Sequence, residues 1–465
     1  MSGIVGILYR DGRQVDSTEL QRMVDILAHR GPDGVDVWHE EPVGLGHCML
    51  HTTPESLNEK MPFVNQTTGL AITADARIDN REELLHLLRL DDRPAGDIPD
   101  SQIILAAYER WGEHCPEHLL GDFAFAIWDR NRQQLFCARD HFGVRPFFYH
   151  LSDEIFAFGS EIKALLALNF VPHTVDEIQI GDFLTGLFED SERTFYQAVR
   201  RLSPGHILLA DNVSFKLRPY WSLDMPEIMN LGRNQNYVAA FRELFDEAVR
   251  CRLRSHAPIG LLLSGGLDSS SLAVIAETIL TNCGHASLHT FSGIFEKVPE
   301  CDERKYIQAT LNEKNIQSRL IRADTVGPLT DINRLLWFQD EPFDAPHLFM
   351  RWHLSQFVSL DGCRVVLDGY DGDTTISHGF GLLSELARAG KWVDLATNLR
   401  GLTSVDGRNY VSVFLAYLWK LNFRSRLLRF RLSRKLRRVW RSRLNPTTAH
   451  EDAKGVLPPW AAPVA

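Results

Sequence analysis

A turn rich in serine and glycine between two apolar segments carries the residues best suited to chemistry. The apolar run from Ile259 to Leu263 predicts a buried strand, and a helical pattern of apolar residues begins at Leu267. Glycines between them allow a tight turn. Unpaired backbone N–H groups and the positive end of the helix would then meet at one point, which predicts a phosphate-binding site. Its residues are Leu263, Ser264, Gly265, Gly266, Leu267, Asp268, Ser269 and Ser270.

The complete string is more informative than its glycine pair. A glycine pair after a strand is more often a structural bend than a binding site. No Gly-Lys-Ser/Thr follows here, so the turn is not a Walker A loop. It resembles the pyrophosphate loop, Ser-Gly-Gly-x-Asp-Ser, of the ATP pyrophosphatases, which adenylate a carboxylate and release pyrophosphate.

Length and composition restrict the class of protein. With 465 residues the chain exceeds one ordinary hydrophobic core, so two domains are expected. A net charge of −10 argues against a general nucleic-acid binder. The seven cysteines include no Cys-x-x-Cys pair, which argues against a disulfide framework and a zinc site. The chain has no apolar run of roughly 18 residues, as a membrane span would need, and no signal-peptide pattern. We therefore expect a cytoplasmic protein.

The order of strand and helix patterns predicts the domain organisation. Residues 1–210 show strand pairs followed by helices, typical of an α+β fold with stacked sheets, and one of these strands is expected from Gly69 to Thr73. Residues 211–235 are interpreted as a connection. In residues 236–465 strands alternate with helices, which predicts an α/β doubly wound parallel sheet. Ligands of such sheets bind beyond the carboxyl ends of the strands, where Ser264 falls.

Four phrases in the first part of the chain carry a family resemblance. They are Met1-Ser2-Gly3-Ile4-Val5-Gly6, His29-Arg30-Gly31-Pro32-Asp33, Ala138-Arg139-Asp140-His141-Phe142-Gly143-Val144-Arg145-Pro146 and Gly159-Ser160-Glu161-Ile162-Lys163-Ala164-Leu165. Together they resemble the glutaminase half of the asparagine synthetase family, an N-terminal-nucleophile amidohydrolase sandwich. With the pyrophosphate loop in the expected order, the resemblance extends from Met1 to about Gly379 and implies an ATP-pyrophosphatase domain after the glutaminase-like one.

Three parts of the glutaminase site differ from the family pattern. The family's nucleophile is a cysteine, whereas this chain has Ser2, with a hydroxyl in place of an easily ionised thiol. Met49 stands where the family has an arginine that grips the substrate carboxylate. The family's Asn-Gly-Glu becomes Asp75-Ala76-Arg77, so a basic residue replaces the acidic ligand of the glutamine amine, while Asp100 still matches a glutamine-site aspartate. These changes predict a retained fold that does not hydrolyse glutamine; a serine nucleophile acting on another amide is the alternative.

Two later stretches complete the nucleotide site that the resemblance implies. Gly293 and Ile294 lie where the family's backbone contacts adenine. A strand from Arg364 to Asp368 runs into Gly369, and this turn corresponds to the family's Ser/Thr-Gly-Glu-Gly-x-Asp-Glu segment. We therefore expect Asp368 and Gly369 to contact ATP.

Carboxylates provide the metal and substrate contacts that the resemblance implies. Asp373 corresponds to the family's second metal-binding aspartate, so Asp268 and Asp373 would hold Mg²⁺ against the triphosphate through oxygen ligands. Asp340, Glu341 and Asp344 resemble an acidic family segment near the substrate pocket. The glutamate that follows the second metal ligand in the family is a threonine here, which weakens the expectation of a pocket built for aspartate.

The resemblance implies an AMP-forming ligase that adenylates a carboxylate on Mg-ATP and then forms an amide. Free ammonia or an amine within the substrate is expected to attack, the latter as in the β-lactam synthetases and lasso-peptide cyclases, which close a ring and carry a silent glutaminase domain. The partner would then be a carboxylate substrate such as a precursor peptide, and a homodimer is also considered. Two alternatives stay open: asparagine synthesis from aspartate with glutamine or ammonia, and an inactive scaffold. The scaffold alternative follows from the end of the chain soon after Trp460, where family synthetase domains usually continue.

Overall fold

The computed structural model divides the chain into two compact units. One extends from Met1 to Gly369, and the second begins at Tyr370. The described residues are 1–406 except 91–92, 188–189, 225–228, 285–286, 313–314, 373–374 and 376–379. The larger unit contains an antiparallel part, here called the N-terminal half, and a parallel part, the C-terminal half.

Short helices and paired strands make up the N-terminal half. In chain order they are β1 (Gly3–Tyr9), α1 (Ser17–Ile26), β2 (Gly34–Glu40), β3 (Val43–Met49), β4 (Phe63–Asn65), β5 (Leu70–Ile78), α2 (Arg81–Leu87), α3 (Asp100–Trp111), β6 (Gly121–Asp129), β7 (Gln134–Arg139), β8 (Phe148–Leu151), β9 (Ile155–Gly159), α4 (Ile162–Leu166), α5 (Glu177–Thr185), β10 (Arg200–Arg201), β11 (His206–Ala210) and β12 (Phe215–Pro219).

Two six-stranded antiparallel sheets form this half. The first has the order β10-β8-β9-β1-β3-β2, and the second has the order β12-β11-β7-β6-β5-β4. Their facing sides share one apolar cluster, to which β1 contributes Ile4 and Leu8 and β6 contributes Ala126 and Trp128. Residues of α1 and α4 pack on the outer face of the first sheet, and residues of α2 and α3 pack on the second. This arrangement confirms the predicted α+β stack of sheets covered by helices.

β1 illustrates why the strands of this half are continuously apolar. All seven of its residues are buried. Ile4 and Leu8 belong to the cluster between the sheets, whereas Val5 and Ile7 pack with residues of α1 such as Leu20. Because successive side chains of a strand lie on opposite faces, a strand covered on both faces needs apolar residues at every position. Because both faces of β1 are packed in this way, the residues just before β1 are also held in position.

Some strands extend further than their local pattern predicts. The strand expected from Gly69 to Thr73 is β5, and its additional residues include Asp75 and Arg77. β5 pairs with β6 over its whole length, so the extension comes from pairing rather than from the alternation of apolar residues within the segment. β12 lies within the stretch 211–235, which was expected to be a connection, and it pairs with β11 as the outer strand of the second sheet.

Helices and strands alternate in the C-terminal half. In chain order they are α6 (Asn234–Arg252), β13 (Ile259–Leu262), α7 (Leu267–Asn282), β14 (Leu288–Ile294), α8 (Arg304–Leu311), β15 (Ile316–Arg322), α9 (Ile332–Gln339), α10 (Leu348–Leu360) and β16 (Val365–Asp368).

The four strands of the C-terminal half form one parallel sheet in the order β15-β14-β13-β16. One apolar cluster joins β13 to α6 and α7 through residues such as Val249, Leu261 and Ala273. A second joins Phe291 of β14 to Leu354 and other residues of α10. Helices therefore cover the sheet on both faces, which confirms the predicted doubly wound α/β fold.

The second unit contributes two described helices, Phe380–Arg388 and Trp392–Asp406. They pack through a small apolar cluster that includes Leu383, Leu395 and Leu399. Across all the helices described in both units, none combines the length and the apolar character that a bilayer crossing would require.

Candidate functional site

The loop after β13 turns sharply at Gly265. This residue has a φ of +84°, in the left-handed region where a side chain is strained. A Cβ at this position would lie 3.0 Å from the Cβ of Tyr306 and 3.3 Å from the carbonyl oxygen of Glu303. The loop therefore lies directly against the start of α8, and glycine permits the close approach.

Serine hydroxyls hold this loop in shape. The backbone N–H of Ser264 donates to Ser269 Oγ at 3.2 Å, and the two hydroxyl oxygens lie 3.0 Å apart. Ser264 Oγ also accepts from the N–H of Gly266 at 3.4 Å. Thr310 Oγ1 donates to Ser270 Oγ at 3.1 Å, and this hydrogen bond links α7 to α8. Because the loop is ordered by its own contacts, a ligand would bind it at a smaller entropic cost.

The start of α7 is suited to an anion. This helix has 16 residues, and no described side chain caps its N-terminus, which begins at Leu267 after Gly266. The N–H groups of a first helical turn have no intrahelical partners, and the helix dipole adds partial positive charge there. Leu267 is 86% exposed, so this end of the helix is open to solvent. A phosphate could therefore bind at this point.

The predicted nucleotide-binding stretches lie at one edge of the parallel sheet. Ser264 follows β13, Gly293 and Ile294 end β14, and Asp368 ends β16. Leu263, between β13 and the loop, is buried and donates its N–H to the carbonyl of β14 residue Phe291. From β13 the chain passes to β14 on one side and later returns to β16 on the other. The crevice between β13 and β16 is thus a topological switch point, where doubly wound sheets bind ligands.

Gly369 brings the end of β16 against the start of α7. A Cβ at Gly369 would lie 2.8 Å from the backbone nitrogen of Ser269 and 3.0 Å from the Cβ of Asp268. The neighbouring Asp368 forms an ion pair with Arg351 of α10. The structure therefore brings together Asp268, Ser269 and Gly369, which the sequence placed in one site although about 100 residues separate them.

Asp268, the first predicted metal ligand, lies in the first turn of α7. Its carboxylate and the hydroxyls of the loop are the kind of donors that Mg²⁺ prefers. Asp373, the second predicted ligand, lies outside the described residues. Within the described ranges, no group of three or more His, Cys, Asp and Glu side chains is arranged to hold a metal ion. The two-aspartate Mg²⁺ site therefore stays a prediction, to which the structure contributes the position of Asp268.

The acidic segment after α9 contacts the N-terminal half. Asp340 accepts from the backbone N–H of Lys163 at 3.1 Å and lies 2.9 Å from Lys163 Nζ. Glu341 accepts from the N–H of Phe195 at 2.9 Å and from Arg201 Nη2 at 2.7 Å. Burial raises the pKa of the Asp340 carboxyl, and the contacts with Lys163 oppose this rise. Both carboxylates are thus engaged by protein groups at a junction between the two halves.

A cavity of about 370 Å³ adjoins this acidic segment. Glu341 and Asp344 line it, together with Phe183 of α5 and Arg139 of β7. Its volume falls in the range of small-molecule sites, roughly 300–1,000 Å³. Two of the three predicted substrate-pocket residues therefore border a space large enough for a substrate, whereas Asp340 does not line it.

A second cavity, of about 20 Å³, adjoins Ser2. Leu50 donates its N–H to Ser2 Oγ at 3.0 Å, and the Ser2 N–H donates to Asp75 Oδ1 at 3.2 Å. Ser2 follows Met1, so its nitrogen belongs to a peptide bond, and burial lowers the pKa of the Met1 amino group to about 5. One water needs roughly 10–15 Å³. With Met1 in place, which itself lines the cavity, the remaining space therefore holds about one water.

The other predicted glutamine-site residues fall into two groups. Asp75, Ala76 and Asp100 line the Ser2 cavity. Met49 is 7% exposed and packs into the apolar cluster on the outer face of the second sheet. Apolar contacts therefore take the place of the family's arginine, which grips the substrate carboxylate. Arg77 does not line the cavity, because its guanidinium donates to backbone carbonyls of the C-terminal half.

Glu59 is a cavity residue that the sequence pattern does not mark. It lines the Ser2 cavity near Ser56. Burial raises the pKa of its carboxyl to about 7, and a hydrogen bond with Ser101 opposes this rise. None of the family phrases includes Glu59, and only the packing of distant segments places it beside Ser2.

The fold and the site together define a class of protein: an antiparallel sandwich of the amidohydrolase type joined to a doubly wound sheet with a pyrophosphate-type loop. Residues 1–221 match the family model described as a glutamine amidotransferase domain, and residues 240–455 match the model described as asparagine synthase. The chain belongs to the asparagine synthetase family.

Individual relatives show how far the similarity extends. Amidase chry2 of Gibberella zeae is 28% identical over 381 residues, which cover 79% of this chain and 56% of that protein. Asparagine synthetase [glutamine-hydrolyzing] 3 of Bacillus subtilis is 33% identical over 318 residues, covering 68% of this chain and 51% of that protein. This chain thus spans about half the length of these curated relatives. A solved glutamine phosphoribosylpyrophosphate amidotransferase from B. subtilis has a TM-score of 0.36 and 13% identity, covering 79% of this chain and 90% of that chain.

Proposed function

We propose that the chain is an ATP-dependent ligase that activates a carboxylate as its adenylate, releases pyrophosphate and then forms an amide. The observation that carries the proposal is the meeting of the Ser264–Ser270 loop with Asp368 and Gly369 at the switch point of the parallel sheet. Gly293 and Ile294, at the end of the neighbouring strand β14, would contact the adenine. Membership of the asparagine synthetase family supports the same reaction class.

The loop is suited to hold the leaving group. A carboxylate oxygen of the substrate would attack the α-phosphorus of ATP, the bond to the oxygen that bridges the α- and β-phosphates would break, and pyrophosphate would leave with that electron pair. The N–H groups at the start of α7 and the hydroxyls of Ser264 and Ser270 are donors that stabilise the charge on the pyrophosphate. Mg²⁺, bound by Asp268 and by the predicted ligand Asp373, would supply further neutralisation of the phosphate charge.

Ammonia or an amine within the substrate is our proposed nitrogen source. The amine attacks the carbonyl carbon of the adenylate, AMP leaves and the amine loses a proton. Ser2 in place of the family's cysteine and the apolar surroundings of Met49 argue against the hydrolysis of glutamine. We favour a substrate that carries both the carboxylate and the amine, so that the reaction closes a ring. Synthesis of asparagine from free aspartate and ammonia is the second candidate, supported by the similarity to the asparagine synthetase of Bacillus subtilis.

The fate of the α-phosphate tests this proposal. ATP labelled in its α-phosphate is incubated with Mg²⁺ and either aspartate with ammonia or a candidate precursor peptide. Labelled AMP supports the ligase, and the substrate that elicits it distinguishes the two candidates. Labelled ADP contradicts the mechanism, and tight ATP binding without turnover favours the scaffold.

A pair of glycine variants tests whether the loop is the site. In Gly265→Ala the added Cβ would press on α8, and turnover should fall by at least about tenfold, because loop donors displaced from their positions lose transition-state stabilisation. Gly362→Ala is the matched control, because Gly362 has a similar φ of +73° and no neighbour within 4 Å. Equal losses in both variants would attribute the effect to backbone strain and contradict the assignment.

A further inference from the structure

A short segment of the C-terminal half lies on the rim of the Ser2 cavity. This connecting segment, residues 251–256, ends α6 and leads to β13. The N–H of His256 donates to the carbonyl oxygen of Thr52 at 3.1 Å, and His256 Nε2 lies 3.0 Å from the carbonyl oxygen of His51. Thr52 itself lines the Ser2 cavity. The connecting segment therefore contacts a residue that lines the Ser2 cavity.

Arg254 of the connecting segment forms an ion pair with the carboxylate of Asp100. Arg254 Nη2 lies 2.6 Å from Asp100 Oδ2, and Nη1 lies 3.4 Å from Oδ1. Arg81 pairs with Oδ1, and the N–H of Ile78 donates to Oδ2 at 3.0 Å. Asp100 is the aspartate that the sequence matches to the family's glutamine site. Two guanidinium groups and one backbone N–H bind the Asp100 carboxylate. The ammonium group of a ligand could therefore bind this carboxylate only by displacing a charge-assisted hydrogen bond.

Arg77 makes the reciprocal contact from the N-terminal half. Its Nη2 donates to the carbonyl of Cys251 at 2.7 Å and its Nη1 to the carbonyl of Arg254 at 3.0 Å. These carbonyls belong to the last turn of α6 and to the residues that follow it, where a cation satisfies unbonded acceptors and interacts favourably with the helix dipole. Arg77 is 5% exposed, and burial lowers its pKa to about 10, so it is charged at neutral pH.

Arg254 of the C-terminal half contacts the N-terminal half, and Arg77 of the N-terminal half contacts the C-terminal half. We propose that the former glutamine site of the N-terminal half, at Asp100, is a socket for Arg254, and that Arg77 and Arg254 are positioning residues that fix the connecting segment and, through β13, the pyrophosphate loop. Arg254 precedes Ser264 by ten residues, and β13 (Ile259–Leu262) lies within that interval. The socket itself follows from the contacts, whereas its effect on ATP rests on the proposed function.

Burial distinguishes this junction from an ordinary surface ion pair. The side chains of Arg254 and Asp100 are 18% and 7% exposed. Removing one partner of such a pair leaves the other charge buried without compensation, so the surrounding segment is expected to move. An exposed pair lacks this property. Arg130 and Glu40 form such a pair in the N-terminal half, with side chains 54% and 32% exposed.

Hydrogen exchange of the full-length chain tests the socket without any ligand. In Arg254→Ala, the backbone amides of residues 259–270 should exchange at least about fivefold faster, the lower end of typical coupling between sites. Arg77→Met should accelerate the same amides, and Arg254→Lys should restore part of the protection. Arg130→Ala is the control and should leave them unchanged. A purely structural defect would instead lower the melting temperature and accelerate exchange throughout the N-terminal half.

ATP affinity, measured by calorimetry on the same variants, supplies the second readout. We expect the Kd for ATP to rise at least about fivefold in Arg254→Ala and in Arg77→Met. Unchanged exchange over residues 259–270 in both variants overturns the socket. Altered exchange with unchanged ATP affinity overturns its role for the nucleotide. If the wild-type chain binds no ATP, the proposed function fails, and the exchange data still decide on the socket. If Arg254→Ala does not fold, Arg77→Met carries the same test.

Discussion

Replacing Glu59 by glutamine tests the electrostatics of the Ser2 cavity. Burial raises the pKa of this carboxyl from 4.5 to about 7, so the folded protein keeps a proton that the unfolded chain releases between these values. The free energy of unfolding should therefore fall as the pH rises from about 4.5 to about 7. At 1.36 kcal/mol per pH unit the loss is at most about 3 kcal/mol. Solvent screening reduces it, because Glu59 is partly accessible.

Urea unfolding at pH 4 and pH 8 measures this effect. Glu59→Gln keeps the shape and a hydrogen-bonding group but removes the ionisation. At pH 4 its free energy of unfolding should equal that of the wild type, because both side chains are then neutral. At pH 8 the variant should be more stable by about 1–3 kcal/mol. Glu154→Gln, at an exposed turn, is the control and should show no difference at either pH. An equal change in Glu59→Gln at both pH values would refute the reasoning.

Three further predictions concern the two sites. Glutamate release from glutamine should stay at background and be unchanged by Ser2→Ala, because a hydroxyl replaces the family's thiol and Met49 packs among apolar residues; a rate that Ser2→Ala abolishes would contradict this. Gly369→Ala should weaken ATP binding in calorimetry by about tenfold, since its Cβ would lie 2.8 Å from the Ser269 nitrogen and would displace the start of α7; an unchanged Kd would remove Gly369 from the site. Asp268→Asn should weaken ATP binding more in Mg²⁺ than in EDTA, because its carboxylate is the predicted metal ligand; equal losses under both conditions would argue against a metal contact.

The local sequence pattern was sufficient to predict the strand, loop and helix that form the nucleotide site. The apolar run before Ser264, the glycine at φ +84° and the helical pattern after it are each properties of neighbouring residues, and β13, the loop and α7 follow from them. Alternation of strands and helices predicted the parallel sheet for the same reason. The close approach of Gly369 to Asp268 follows from strand order, which the family resemblance implied.

Contacts between distant segments explain what could not be predicted. The sequence assigned Arg77 to the glutamine site because of its position in a motif, yet its guanidinium reaches the carbonyls of Cys251 and Arg254. The length and polarity of a side chain do not reveal which carbonyl across a junction it will meet. The same holds for Glu59, whose raised pKa depends on burial by segments remote in sequence. β12 was missed because an outer strand with lysine and arginine has little apolar signal of its own.

The reciprocal arginine contacts have a consequence for recombination within the family. A chimera that combined the N-terminal half of a glutamine-hydrolysing relative with residues 222–465 of this chain would place the family's glutamate at position 77, opposite the carbonyls that Arg77 now satisfies. The donor's free aspartate would at the same time meet Arg254 and lose its role as a substrate ligand. Such a hybrid would bring an acidic group towards backbone oxygens and disable the donor's amidase chemistry. The halves of this protein are therefore matched to each other, and neither is an interchangeable module.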